Sequence, residues 1–159
     1  MAAMSQPAEQ PSTSSRIDLG CCSFNAAPGW KFYPLDGRIV GRPMHGVGGM
    51  QIVRMDPTSV PWPATHEVCM AAAQHVMGLN INEPGFDRAK EYGECCMAGG
   101  ESFRTDKTYL RVWYRHCPDG MVAAFFRCRQ ARAAERSVIE SLRAADQMIS
   151  SVRFPPPFA

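Results

Sequence analysis

The chain has 159 residues, enough for one domain with its own core, and 45% of them are hydrophobic, which argues against disorder overall and against dependence on a metal or disulfide staple. Seventeen basic residues against 15 acidic ones leave a net charge of +2, a balance that neither requires nor excludes nucleic acid as a partner. No window approaches the apolar length of a membrane-spanning helix.

Residues 1–16 are rich in Ser, Pro, Gln and Ala and poor in large apolar groups, so a disordered leader is expected there. It has neither the basic start nor the apolar stretch of a signal peptide. Cys22–Ala26 then alternates and stops at Pro28-Gly29. Trp30–Tyr33, Arg38–Arg42 and Met50–Met55 are short strand candidates, separated by Asp36-Gly37 and by the Gly46–Gly49 loop. Prolines 57, 61 and 63 keep the next segment extended. A helix is expected from the N-cap Thr65 to Met77, ending at Gly78, with Glu67 complementing its positive end. Residues 80–88 read as a loop, and 94–105 as a weaker strand or a hairpin turning at Gly99-Gly100.

The strongest pattern is the run from Lys107 to Phe154. Lys107–Cys117 alternates, Pro118-Asp119-Gly120 turns, Met121–Arg129 alternates again, and Ala131–Ser150 changes to helical period before a short final strand. Ala134, Val138, Leu142, Ala145 and Ile149 form one stripe of that helix, and Arg136 can pair with Glu140 across one turn. A Pro-rich tail, 155–159, closes a single domain spanning 17–154. Hairpin connections predict a largely antiparallel sheet flanked by helices, an α+β domain.

Three local patterns together resemble the PsbP-like superfamily: a short strand followed by Pro28-Gly29-Trp30, the late pair of long strands, and the terminal helix running through Ala145–Ser150 into Ser151-Val152-Arg153-Phe154. The resemblance covers most of residues 20–154 in element order. It implies an α/β/α sandwich built on an antiparallel sheet. The superfamily includes a photosystem extrinsic subunit, a Ran-GTPase-binding protein and DcrB-like chaperones of secreted effectors. It therefore implies a non-enzymatic binding scaffold more often than a catalyst, and it carries over no partner-binding residue.

The spacing of candidate catalytic groups points away from a reaction. His66-Glu67 lacks the second histidine one turn on that a zinc protease needs, because Met70 stands there. The seven cysteines are Cys21, Cys22, Cys69, Cys95, Cys96, Cys117 and Cys128; they lack the two spaced pairs of a structural zinc site and read as small buried hydrophobes in a reducing cytoplasm. Cys21-Cys22, next to the leader, reads as the exposed thiol pair. No metal or other cofactor is expected. His45-Gly46-Val47-Gly48-Gly49 could aim backbone N–H groups at an anion, but it has neither the third glycine of a dinucleotide fingerprint nor the Lys-Ser/Thr of a P-loop. A flexible hairpin loop is the simpler reading.

Between Arg104 and Arg136 eight basic residues face only three acidic ones, so this stretch is the best surface candidate. A three-residue Pro118–Gly120 loop pairs Cys117 with Met121 and sets Arg111 opposite Arg127, Tyr109 opposite Arg129 and Trp113 opposite Phe125. One face then carries Tyr109, Arg111, Trp113, Arg115, Phe125, Arg127 and Arg129, and the other is apolar. Apposed arginines want a carboxylate, a phosphate or solvent, and their planes stack on aromatic rings. The competing readings are a solvated face and a face covered by a helix. The functional expectation is a protein-binding module, an adaptor or chaperone, whose site residues are Tyr109, Arg111, Trp113, Arg115, Arg127 and Arg129 and whose partner is acidic or secreted. Nucleic acid is disfavoured, since no recognition motif accompanies the arginines. The alternative is a small-ligand or enzymatic domain using the sheet face and the Gly46–Gly49 loop.

Overall fold

Strand formation follows the alternating segments closely. The computed structural model describes residues 16–20, 22–56, 58–78, 97–104 and 107–154. Its strands are β1 (Arg16–Asp18), β2 (Ser23–Asn25), β3 (Trp30–Leu35), β4 (Arg38–Pro43), β5 (Gly49–Met55), β6 (Met97–Arg104), β7 (Thr108–Cys117) and β8 (Gly120–Arg129). Two helices, α1 (His66–Val76) and α2 (Arg136–Ser150), complete it, with a 3₁₀ turn at Gln130–Arg132. β1 and β2 form a small antiparallel pair. The other six strands form one fully antiparallel sheet in the order β3-β4-β5-β8-β7-β6. Arg16, the last residue of the expected leader, is part of β1, where its guanidinium bonds Ser23 and Asn25. Residues 1–15 and the tail 155–159 lie outside the described residues.

Each helix covers one face of the sheet, and both faces carry core. α1 is capped by Thr65, whose hydroxyl accepts from the Val68 N–H at 3.2 Å, and it ends where Gly78 takes φ +67°. It packs on β6, β7 and β8 with Cys69, Met70, Ala73 and Met77 against Phe103, Leu110, Val112, Tyr114 and Phe125. α2 turns Val138, Ala145, Met148 and Ile149 onto Phe24, Met50, Ile52, Trp113, Val122, Ala124 and Phe126. Each large side chain so buried contributes roughly 1.5–3 kcal/mol. After α2, Arg153 exchanges two backbone hydrogen bonds with Ser23, an isolated bridge in place of the expected final strand.

The central hairpin differs from the expected register. β7 and β8 are joined by two residues, Pro118 and Asp119, with Cys117 paired to Gly120. Arg111 therefore lies opposite Phe126, Tyr109 opposite Cys128, Trp113 opposite Ala124, and Arg127 opposite Leu110. The expected register assumed one apolar and one solvated face. Here helices cover both faces, so both need apolar rows, and the shift supplies them: Trp113 joins Phe126 beneath α2, and Val112 joins Phe125 beneath α1. It also removes the like-charge apposition of Arg111 and Arg127.

β6 is a continuous strand and not a hairpin. Gly99 and Gly100 lie inside it because side chains would not fit. A Cβ on Gly99 would sit 2.7 Å from Tyr114 Oη and 2.8 Å from His66 Nδ1, and one on Gly100 would sit 2.6 Å from the Val112 carbonyl.

Candidate functional site

The register divides the six expected site residues between the two faces. Tyr109, Arg111, Trp113 and Arg115 share the α2 face; Arg127 and Arg129 share the α1 face. Tyr109 and Trp113 are buried, the latter only 4% exposed. The Trp113 indole N–H donates to the Asp146 carboxylate of α2, and Arg111 Nε lies 3.5 Å from the same carboxylate while its guanidinium stacks on the Trp113 ring. Arg111 also donates to Ser102 Oγ at 3.1 Å, and Arg115 donates to the Ser150 carbonyl at the end of α2 at 2.8 Å. The carboxylate and aromatic partners expected around these arginines are thus present within the chain itself. Arg111, Trp113 and Arg115 dock α2, while the Tyr109 hydroxyl lies 3.1 Å from Ser102 Oγ on β6.

Arg127 and Arg129 are exposed and fall into a different setting. α1 packs chiefly over β6, β7 and β8, with Val53 and Met55 of β5 in the same cluster and Arg38 of β4 donating to the Val76 carbonyl at the helix C-terminus at 2.8 Å. Beyond these contacts the end of β3, β4 and β5 that carries Lys31, Arg42 and Gly49 is exposed or half-exposed. Arg127 pairs with Gly49 on β5, and Lys31 on β3 pairs with Arg42 on β4. Continuing the β4–β5 register by one residue sets Arg42 beside Gly49, where its Cγ lies 3.9 Å from the point a Gly49 Cβ would occupy. Lys31, Arg42, Gly49 and Arg127 therefore form one row across four strands. Arg42, Gln51, Gly48, Gly49, Phe125, Arg127 and Arg129 line a concavity of about 680 Å³. A second hollow of about 610 Å³ continues past Gly48, Arg127 and Arg129 to Arg132.

Lys31, Arg42, Arg127 and Arg129 have no side-chain hydrogen bond or ion pair with any described residue. Arg132, at the rim, is paired with Glu135 at 2.9 Å. Alongside the cationic row, Tyr33 and Leu35 of β3 are 40% and 51% exposed on the same face. Gly48 fixes the approach of the loop: its φ is +92°, and a Cβ there would lie 2.5 Å from the Phe126 ring. Lys31 and Arg42 escape a reading of local charge density because they lie far away in sequence, and only strand order brings them together.

The α1 face also contains two buried polar chains. His66 Nδ1 is 2.9 Å from Tyr114 Oη, and its Nε2 is 3.5 Å from Glu101. Cys69 Sγ is 3.5 Å from His116 Nδ1, and His116 Nε2 donates to the Val60 carbonyl at 2.8 Å. The Cys69–His116 contact has the composition of a nucleophile and its base. However, Cys69 is 0% exposed, and burial pushes its thiol up to about 11. Burial also lowers His116, against a partial opposing effect of the Val60 carbonyl. The pair is a neutral thiol and a neutral imidazole inside the core.

Cys22, Cys69, Cys117 and Cys128 are buried. This corrects the exposed-pair expectation for Cys22; Cys21, Cys95 and Cys96 lie outside the described residues. Among the described residues no helix is long and apolar enough to cross a membrane.

No family model matches the chain, and no curated protein matches it. Solved structures do match in fold. The chain is similar to a Mog1 protein carrying a Glu-to-Ala substitution, with a TM-score of 0.60 at 9% identity, over 89% of this chain and 95% of that one. It is equally similar to the Ran-binding protein Mog1p of Saccharomyces cerevisiae, with a TM-score of 0.60 at 10% identity and the same coverage. The fold is Mog1/PsbP-like. At this identity the likeness concerns the fold alone.

Proposed function

We propose that this protein is a non-enzymatic binding module that holds an acidic segment of a protein partner against the open half of its sheet, in an adaptor or chaperone role. The observation that carries the reading is the row Lys31–Arg42–Arg127 with Arg129 beside it: four cations on one face, none with a counter-ion among the described residues. Gathering like charges is unfavourable unless an anion or solvent screens them. The exposed Tyr33 and Leu35 alongside add an apolar patch that a partner's side chains can cover. Of the six residues expected from sequence, Arg127 and Arg129 belong to this surface. The fold has a Ran-binding protein among its members, which supports a scaffold able to recognise proteins, although fold does not select the partner.

The open face, and not the open edge, is the contact surface. The β3–β4 turn at Asp36-Gly37, with φ of +48° and +76°, closes on the pair Leu35–Arg38. Alternation along an antiparallel ladder then turns the backbone nitrogen of position 34 outward, where Pro34 has no N–H to donate. Strand addition on β3 is blunted there. The small-ligand alternative draws on the concavity of about 680 Å³ at the Gly46–Gly49 loop.

A photo-crosslinker in place of Arg129, compared with one at Arg143 on the exposed side of α2, tests the reading. Crosslinking of a defined acidic protein at 129, absent at 143 and lost in Arg42→Glu/Arg127→Glu, is the expected result. Equal capture at both positions contradicts it.

A further inference from the structure

The four cations are not evenly spread. Gly49 lacks a side chain at the centre of the row, between Arg42 and Arg127. Strands are about 4.8 Å apart, so these two arginines rise from backbones about 10 Å apart on either side of a bare floor. Two residues along β8, about 7 Å away, stands Arg129. All three line the same concavity with Gly48 and Gly49. A guanidinium is a two-pronged donor. A carboxylate has two oxygens and satisfies one such fork in full. A phosphate monoester has three free oxygens and a charge near −2, enough acceptors for two or three forks.

Resting on the protein-binding reading above, we infer that the floor at Gly49 is a phosphoryl subsite, in which Arg42 and Arg127 clamp a phosphorylated side chain of the partner and Arg129 neutralises its remaining charge. The Gly46–Gly49 loop, which matches neither the dinucleotide nor the P-loop pattern in sequence, gains its meaning here. Gly49 leaves the space for the anion, and Gly48 lets the loop pass over Phe126. Any side chain at 49 would rise between the two forks. A carboxylate there would occupy them from within.

The test uses the full chain, isotope-labelled, with three acidic peptides of one sequence carrying phosphoserine, aspartate or serine at the centre, and inorganic phosphate as a fourth probe. The expected result is binding of the phosphoserine peptide about tenfold tighter than the aspartate one, with amide shifts centred on Gly48, Gly49 and Arg127. Arg42→Gln, Arg127→Gln and Gly49→Glu should each abolish that preference while leaving the rest of the spectrum in place. Equal affinity for the phosphoserine and aspartate peptides overturns the subsite and leaves the acidic-partner reading standing. Binding of none of the peptides overturns both. Inorganic phosphate binding as tightly as the phosphopeptide overturns the protein-borne source in favour of a free small molecule.

Discussion

His116 and Cys69 illustrate how burial sets chemistry residue by residue. The Val60 carbonyl can only accept, so His116 Nε2 carries the hydrogen and Nδ1 is left for the Cys69 thiol. Burial holds the imidazole neutral, below its ordinary value of 6.5. In the unfolded chain the same group takes up a proton near 6.5, so acid favours unfolding. Its contribution is fully present above 6.5 and is lost as pH falls from there through the lower folded value. Urea unfolding should show a lower midpoint at about pH 5 than at about pH 7, and the difference should shrink in His116→Gln. An unchanged pH dependence in that variant would mean the imidazole is not the linked group. Cys69 should resist alkylation in the native protein at pH 8 and react once urea is added. Gly99 gives a second residue-level test. Gly99→Ala drives a methyl into the His66–Tyr114 pair and should cost about 1–3 kcal/mol, whereas the same change at the open Gly37, whose φ is positive, strains only the turn. Neither contact is legible in the sequence, because His116 and Cys69, like Gly99 and His66, meet only where α1 packs on the sheet.

At the scale of elements, α2 is held by a polar latch as well as by its apolar stripe. Trp113 and Arg111 converge on Asp146, and Arg115 closes on the helix C-terminus at Ser150. Asp146 is part-exposed, so Asp146→Ala should destabilise by about 1–2 kcal/mol, while Trp113→Ala, which also empties core volume, should cost about 3–5 kcal/mol. Arg127→Glu should leave stability within about 0.5 kcal/mol, since that side chain is exposed and has no partner among the described residues. Chemical denaturation of the three variants checks the ranking. The elements themselves were readable from periodicity: Thr65 and Gly78 bracket α1 as the caps predict, and Val138, Ala145 and Ile149 of the expected stripe are buried. The β7–β8 pairing was not, because segregation of charge fixes a register only when one face of a hairpin is wet. Here Phe126 and Phe125 both needed cover, one from each helix.

At the scale of the whole molecule, the antiparallel α+β architecture followed from the order of hairpins and helices, and the Pro28-Gly29-Trp30 motif with the late hairpin and terminal helix pointed to the Mog1/PsbP-like fold that the solved structures match. The candidate site was legible only in part. Arg127 and Arg129 stand out in the sequence, but Lys31 and Arg42 join them through the pairing of β3 with β4, β4 with β5 and β5 with β8, the last a crossover that local sequence does not encode. That crossover makes the open half-face a single cationic surface beside Tyr33 and Leu35. The most direct measurement is therefore the affinity of an acidic peptide for the wild-type chain, for Arg42→Glu/Arg127→Glu and for Arg136→Glu on α2, each first shown to unfold at the same denaturant concentration as the wild type. The account predicts that binding weakens with salt and is lost in the double variant, while Arg136→Glu binds as the wild type does. Undiminished binding by a folded Arg42→Glu/Arg127→Glu protein would contradict it.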